Sequence, residues 1–324
     1  MIGTRPASAG SRDQVLVLDG AEVEALLVGT PLVEAVSAAL LSYSAGSAVA
    51  PPRVAAPTDQ GLLAAMPAYL PGVALSTKLI SIFPHNPELG RPSHQGVVAL
   101  FDEADGRLLC LMNAGPITAR RTAAVSALSV ELLARPDSLV LAILGAGAQA
   151  SAHLDAVAPM REFGEIRLAA RDPGRALAMA AGHPRCQVSP SFEAAVSGAD
   201  VVLCCTDAGS PILARRWLRP GCHVVSVGSG AELDADTVAQ GLVFVEWRGS
   251  VTNPPPAGAR ELQGRDPLAV TELGEVLAEP RRGRSAADQI TVFKSTGLAV
   301  EDAAASRLIF DSAHLQGVGR PLSW

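Results

Sequence analysis

The sequence predicts an α/β fold in which a doubly wound parallel sheet is joined to a unit of α+β type. Three observations carry that prediction. The apolar run Val140-Leu141-Ala142-Ile143-Leu144 passes straight into Gly145-Ala146-Gly147-Ala148-Gln149-Ala150 and then into a helix-forming stretch. Downstream, short apolar runs alternate with helical segments, as in a parallel sheet covered on both faces. Upstream, five strand-like pieces separated by turns precede a long amphipathic segment, which suits an antiparallel sheet with a helix packed on it.

At 324 residues the chain is long enough for two domains, and the patterns place them at 1–130, completed by 298–324, and at 131–297. With 48% hydrophobic and 18% charged residues the chain can bury a sizeable core. A net charge of −6 with no basic block argues against nucleic acid, whose phosphates require a basic face. No run of about 18 uninterrupted apolar residues exists, so no membrane span is expected. Residues 1–8 lack the basic-then-apolar layout of a signal peptide and read as a short disordered lead. The five cysteines, Cys110, Cys186, Cys204, Cys205 and Cys222, lie mostly in apolar runs without metal-ligand spacing. They read as reduced core thiols of a cytoplasmic protein, and no metal is assigned.

Taken in order, residues 31–41 carry apolar positions at helical spacing, with Pro31 suited to a first turn. Strand-like pieces follow at 53–56, 61–66, 74–82, 96–102 and 107–112, the last two joined by Glu103-Ala104-Asp105-Gly106 as an antiparallel hairpin. Thr118 is expected to cap a helix over 119–134 whose stripe Val125, Leu128 and Leu132 faces a core. After the glycine turn, strands are expected at 165–170, 200–205, 222–227 and 242–246, with helices at 174–181 and 191–196 between them. Pro254-Pro255-Pro256 marks a loop, and 298–315 reads as a helix returning to the first domain.

The strand–glycine–helix stretch has a physical meaning. Free N–H groups and the positive end of a helix dipole meet where a tight glycine turn lets a pyrophosphate approach, so Gly145-x-Gly147-x-x-Ala150 points to a dinucleotide.

Further motifs narrow the field. Lys78-Leu79-Ile80, Pro92-Ser93-His94-Gln95, the run from Ile117 through Arg120-Arg121 to Ala127, Glu272-Leu273-Gly274-Glu275-Val276 and Val292-Phe293-Lys294-Ser295-Thr296-Gly297 stand in a recognisable order. Together with the glycine turn they make the chain resemble the ornithine cyclodeaminase/mu-crystallin family, nearer its ketimine reductase branch, over roughly 53–315. The resemblance implies a two-domain dehydrogenase. Its first domain would form a homodimer and much of the substrate site, and a Rossmann domain would hold NAD(P).

Carried over by that resemblance, Arg53, Lys78, Arg121 and Thr296 would bind a small imino or amino acid through its carboxylate. Guanidinium groups grip a carboxylate bidentately, and a lysine in a partly dry cleft also donates a proton. Lys78 is therefore the candidate catalytic residue, since an ammonium in the apolar strand of Leu75, Leu79 and Ile82 is costly without a partner. Ser93, His94, Arg121, Gly145, Gly147, Ala148, Gln149, Arg171, Thr206, Val227 and Ser295 would approach the cofactor. Arg171, at the end of the second strand of the nucleotide domain, favours NADP(H), while Asp172 beside it leaves NAD(H) open.

Two departures bear on the reaction. Ornithine cyclodeaminases carry a glutamate before Met-Pro where this chain has alanine in Ala64-Ala65-Met66-Pro67, and an aspartate beyond the strand that ends at Gly228 where the shorter segment here places no acid. Deamination and cyclisation of a diamine is thus the weaker reading. NAD(P)H-dependent reduction of a cyclic imino acid, or the equivalent amino-acid dehydrogenase reaction, is the stronger one. A nucleotide-dependent binding protein of low turnover is the alternative from outside enzymology, motivated by the unusual segment from Trp247 and Arg248 to Pro256.

Overall fold

The computed structural model describes residues 14–28, 31–228 and 230–324, so the reading of 1–8 lies outside the described residues. Two sheets organise the chain. The first comprises β1 (Gln14–Leu18), β2 (Val54–Pro57), β3 (Leu62–Leu70), β4 (Ala74–Ile82), β5 (His94–Phe101) and β6 (Leu108–Asn113), with β15 (Arg320–Ser323) on its edge. Their order is β15-β1-β6-β5-β4-β3-β2. The 103–106 turn closes an antiparallel β5–β6 hairpin as expected, but β1 runs parallel to β6. The sheet is mixed, because the chain crosses over through α1 (Gly20–Leu27) and α2 (Leu32–Ser44) before it returns.

Strict alternation along β3 and β4 gives this sheet two different faces. Ala64, Met66, Ala68, Ser76, Lys78 and Ile80 point inward and are buried. Val54, Leu63, Tyr69 and Leu79 stand on the opposite face and remain exposed.

The second sheet is parallel throughout and has eight strands: β7 (Val140–Leu144), β8 (Glu165–Ala169), β9 (Cys186–Val188), β10 (Val201–Cys204), β11 (His223–Ser226), β12 (Leu242–Val245), β13 (Thr271–Glu272) and β14 (Thr291–Lys294). Its order, β13-β12-β14-β11-β10-β7-β8-β9, reverses direction between β7 and β10. Ligands of open α/β sheets lie at the carboxyl ends of the strands at such a switch point. The connecting helices are α4 (Ala148–Val157), α5 (Pro173–Ala180), α6 (Phe192–Val196), α7 (Ala235–Gln240), α8 (Gly249–Thr252) and α9 (Leu273–Ala278). Neither β9 nor β14 was anticipated as a strand. The first is three residues long, and the second lies in a stretch read for its Lys-Ser-Thr-Gly motif.

Two long helices connect the sheets. α3 (Ala114–Leu133) packs against α4 on one side and α1, α2 and α10 on the other. Its start corrects the expectation of a Thr118 cap. Asn113, at the end of β6, is the N-cap, and its side-chain oxygen accepts from the Gly115 N–H at 2.9 Å. Pro116 is tolerated in the first turn, where no intrahelical N–H bond is lost, so Thr118 sits inside the helix. Arg121 consequently lies in the second helical turn. α10 (Ala299–Gln316) does return to the first sheet, packing on β3 and β4.

Candidate active site

Where α10 crosses β4, the expected cations meet acids that were not foreseen. Lys78, 2% exposed, places Nζ 3.0 Å from Oδ1 and 2.8 Å from Oδ2 of Asp302. Arg121 donates from Nε to Asp302 Oδ1 at 3.2 Å and from Nη1 to Glu301 Oε2 at 2.7 Å. Arg53, just before β2, donates from Nη2 to the carbonyls of Thr296 and Gly297, the second at 2.8 Å. The structure therefore brings Arg53, Lys78, Arg121 and Thr296 into one cluster built from β4, α3, α10 and the loop after β14.

The acids explain how so much charge is buried. An isolated ion in a dry interior is costly, but a paired, hydrogen-bonded one is tolerated. Burial pulls the Lys78 pKa down from its ordinary value to about 8; Asp302 opposes that shift, while Arg121 and Arg53 reinforce it. Burial alone would raise the Asp302 pKa, yet Lys78 and Arg121 hold it below the usual carboxylate value. Burial pushes Glu301 up to about 8, against the pull of Arg121. The sequence carried one signal for these partners: the adjacent pair Glu301-Asp302 at the alanine-rich start of the helix.

A third acid, Glu246, holds the loop after β14. It lies at the end of β12, is fully buried, and accepts from Ser295 Oγ, from the Thr296 N–H at 3.0 Å and from the Gly297 N–H at 3.3 Å. Gly297 has φ +75°, and a Cβ there would stand 2.7 Å from Arg121 Nη2. Only glycine allows this backbone to lie flat against the guanidinium.

The expected nucleotide residues line the carboxyl ends of the second sheet. Gly145, with φ +121°, approaches the next strand so closely that a Cβ would fall 2.4 Å from the Cys205 carbonyl oxygen. Gly147 is the N-cap of α4 and contributes no side-chain cap, and Ala148 beside it is exposed. The first N–H groups of α4 are thus left open at the switch point, and Gln149 Oε1 is buried there without a partner among the described residues. The open N–H groups fit the pyrophosphate of a dinucleotide.

Thr206 and Val227 end the neighbouring strands, and Glu232 ties their loops together. Its carboxylate accepts from Thr206 N–H and Oγ1 at 2.7 and 2.8 Å, and from Ser226 Oγ and Gly228 N–H at 2.7 and 2.8 Å. The shortened loop therefore does hold a buried acid, but one consumed in building the cleft floor. Ser295, at the end of β14, is buried and donates to Glu246.

Other expected residues lie further out. Ser93 Oγ and His94 Nδ1 are 3.0 Å apart at the start of β5. Partial desolvation lowers the His94 pKa; Asp207 opposes the shift and Lys78 adds to it. Arg171 is exposed after β8. Asp172 caps α5, accepting from the N–H groups of Gly174 and Arg175 at 2.9 and 3.3 Å. Trp247 is buried, with Nε1 3.1 Å from Thr296 Oγ1, whereas Arg248 is held by Glu275 at 2.7 Å.

The family model for the ornithine cyclodeaminase/mu-crystallin family matches residues 13–317. Ketimine reductase mu-crystallin of Mus musculus is 38% identical over 294 residues, covering 87% of this chain and 91% of that protein. The structure of Thermococcus litoralis Δ1-pyrroline-2-carboxylate reductase in complex with NADH and L-proline superposes with a TM-score of 0.90 at 31% identity, covering 95% of this chain and 100% of that one. An archaeal alanine dehydrogenase dimer with bound NAD follows with a TM-score of 0.85 at 28% identity, covering 96% and 99%.

Proposed function

The chain belongs to the ornithine cyclodeaminase/mu-crystallin family, and we propose that it reduces the C=N bond of an imino acid with hydride from a nicotinamide cofactor. It is an NAD(P)H-dependent oxidoreductase of the ketimine reductase type. The observation that carries the reading is the cluster of Lys78, Arg121 and Arg53 beside the nucleotide edge, with the Lys78 pKa brought to about 8.

The cofactor supplies the hydride; the residues of the chain supply position and a proton. Arg53 and Thr296 are half-buried and form the outer side of the cluster. With Arg121, whose Nη2 has no partner among the described residues, they hold the substrate carboxylate and align the adjacent C=N carbon. Lys78 gives the proton to the imine nitrogen, directly or through one water, and a pKa near neutrality suits that transfer. Deamination with cyclisation is disfavoured, because Ala65 offers no carboxylate and Glu232 is already bound by four donors.

Three finer points complete the reading. We assign NADP(H) as the preferred nucleotide, because Asp172 is occupied in capping α5 while Arg171 stays exposed to meet a 2′-phosphate. We assign the first unit, 1–130 with 298–324, to substrate binding and to a homodimer, and 131–297 to the nucleotide. The uncovered face bearing Val54, Leu63, Tyr69 and Leu79 supports the dimer, since a second copy would bury it. Five free cysteines fit a reducing compartment, and we place the protein in the cytoplasm. Among the described residues no single helix is long and apolar enough to cross a membrane.

The test is a panel of cyclic imines and keto acid–amine pairs, followed by NADPH absorbance. Brisk, carboxylate-dependent oxidation of NADPH is expected. Ammonia release from a diamino acid without net nucleotide change would replace the reading with the cyclodeaminase one, and absence of turnover on every pair would favour a binding protein.

A further inference from the structure

The contact between Trp247 and Thr296 has a chemical direction. An indole N–H only donates, so at 3.1 Å the Thr296 hydroxyl oxygen must be the acceptor. The other polar groups of Thr296 are also committed: its N–H to Glu246 and its carbonyl to Arg53. One group is left over. The hydroxyl hydrogen of Thr296 is given to no acceptor among the described residues, in a loop whose carbonyls accept from Arg53 and whose Gly297 lies against Arg121.

Two features show that this arrangement is built. Trp247 and Glu246 are consecutive, so the end of β12 holds the Ser295-Thr296-Gly297 loop by its backbone through one residue and by a side chain through the next. Gly249, the first residue of α8, accommodates the ring: a Cβ there would overlap the indole at 1.9 Å. The indole is 6% exposed and cannot swing aside without disturbing α8.

We infer that Trp247 is a positioning residue that fixes the Thr296 hydroxyl as a hydrogen-bond donor toward the substrate carboxylate, and so adds to the preference for ionised acids over neutral imines that the arginines provide. The indole N–H takes one lone pair of the oxygen and turns the hydroxyl hydrogen away from the ring, toward an acceptor outside the chain. An anionic acceptor gains from that proton, while an imine lacking the carboxylate gains nothing. The inference rests on the proposed reduction of imino acids and deepens it, since it names a residue of the chain that adds to this preference.

The experiment is a double-mutant cycle with Trp247→Phe and Thr296→Val, read as KM and kcat for Δ1-pyrroline-2-carboxylate and for 1-pyrroline, which lacks the carboxylate. Trp247→Phe keeps an aromatic ring and removes the donor. It is expected to raise KM for the acid about three- to tenfold, to change that for 1-pyrroline far less, and to have no added effect in the Thr296→Val background. Thr296→Ser, which keeps the hydroxyl, is expected to retain the preference for the acid. Equal losses on both imines, or an undiminished Trp247→Phe effect in the Thr296→Val background, would overturn the assignment and make the indole a wall filler. If Trp247→Phe does not fold, a weakened acid preference in Thr296→Val but not in Thr296→Ser decides in favour, and an unchanged preference in Thr296→Val decides against. If the unaltered protein reduces no imino acid of the panel, the functional reading itself fails, and the assignment falls with it; if it prefers another panel acid, the cycle is run with that acid and its analogue lacking the carboxylate.

Discussion

Lys78 and Asp302 are 224 positions apart in the chain and meet as a buried ion pair, with Nζ 3.0 Å from Oδ1, which fastens α10 to β4 beside the proposed carboxylate clamp. The pair holds the proposed proton donor in place, and Asp302 opposes the fall in its pKa that burial causes.

If Lys78 protonates the imine, Lys78→Ala lowers kcat by about 10²- to 10⁴-fold, the usual contribution of a general acid. Nucleotide affinity, measured by fluorescence of bound NADPH, is expected to stay close to that of the unaltered protein. Near-normal turnover would remove Lys78 from the mechanism.

The same group predicts a pH profile. A donor must be protonated, so kcat/KM for imine reduction is expected to fall as pH rises through about 8. Asp302 is the neighbour that raises the Lys78 pKa, so Asp302→Asn should move this alkaline limb to lower pH. An unmoved limb would show that another group controls it. Because the substitution leaves a buried cation short of its partner, a stability loss of about 3–5 kcal/mol should accompany it in chemical denaturation.

Gly297 is expected to tolerate no side chain. Gly297→Ala meets both a φ of +75° and a Cβ position 2.7 Å from Arg121 Nη2. A raised KM for the imino acid and a loss of roughly 1–3 kcal/mol in unfolding free energy are predicted. A variant of native stability and KM would mean that the loop and the arginine move apart at little cost.

Nucleotide preference is testable at a single exposed position. Arg171→Ala should raise KM for NADPH about tenfold or more while leaving KM for NADH within about twofold, because only the former carries a 2′-phosphate. Equal effects on both nucleotides would withdraw the NADP assignment.

Two buried histidines predict acid lability. His153 is bound by the Gln149 carbonyl at 2.7 Å and Ser126 Oγ at 2.8 Å, and burial pulls its pKa down to about 4. His223, between Ser129 and Thr291, is lowered to about 3 for the same reason, with Arg284 and Arg161 adding to it. A histidine kept neutral when folded but protonated when unfolded contributes stability above its ordinary pKa of 6.5. That contribution is lost as pH falls from 6.5 toward 4 for His153 and toward 3 for His223. A fall of about 3 kcal/mol for His153 and about 5 kcal/mol for His223 is expected in unfolding free energy, with a shallower slope in His223→Asn. A slope unchanged by that substitution would assign the lability elsewhere.

The sequence by itself determined the Rossmann-type sheet, the glycine turn at its switch point and the family, because these depend on local patterns: apolar runs, two glycines and motifs a few residues long. It also named the cations of the cluster. It misplaced the start of α3, since Thr118 and Asn113 are both competent caps and only the end of β6 selects between them. What only the tertiary structure decided was which charges neutralise one another. Asp302 and Glu301 on α10, Glu246 after β12 and Glu232 beneath the 228–232 loop are distant in sequence from most of the groups they satisfy. A buried charge is stable only with a partner at hydrogen-bond distance, and that distance is set by how the two sheets and α10 pack. The contact of Trp247 Nε1 with Thr296 likewise comes from the approach of β12 to the loop after β14, not from any pattern along the chain.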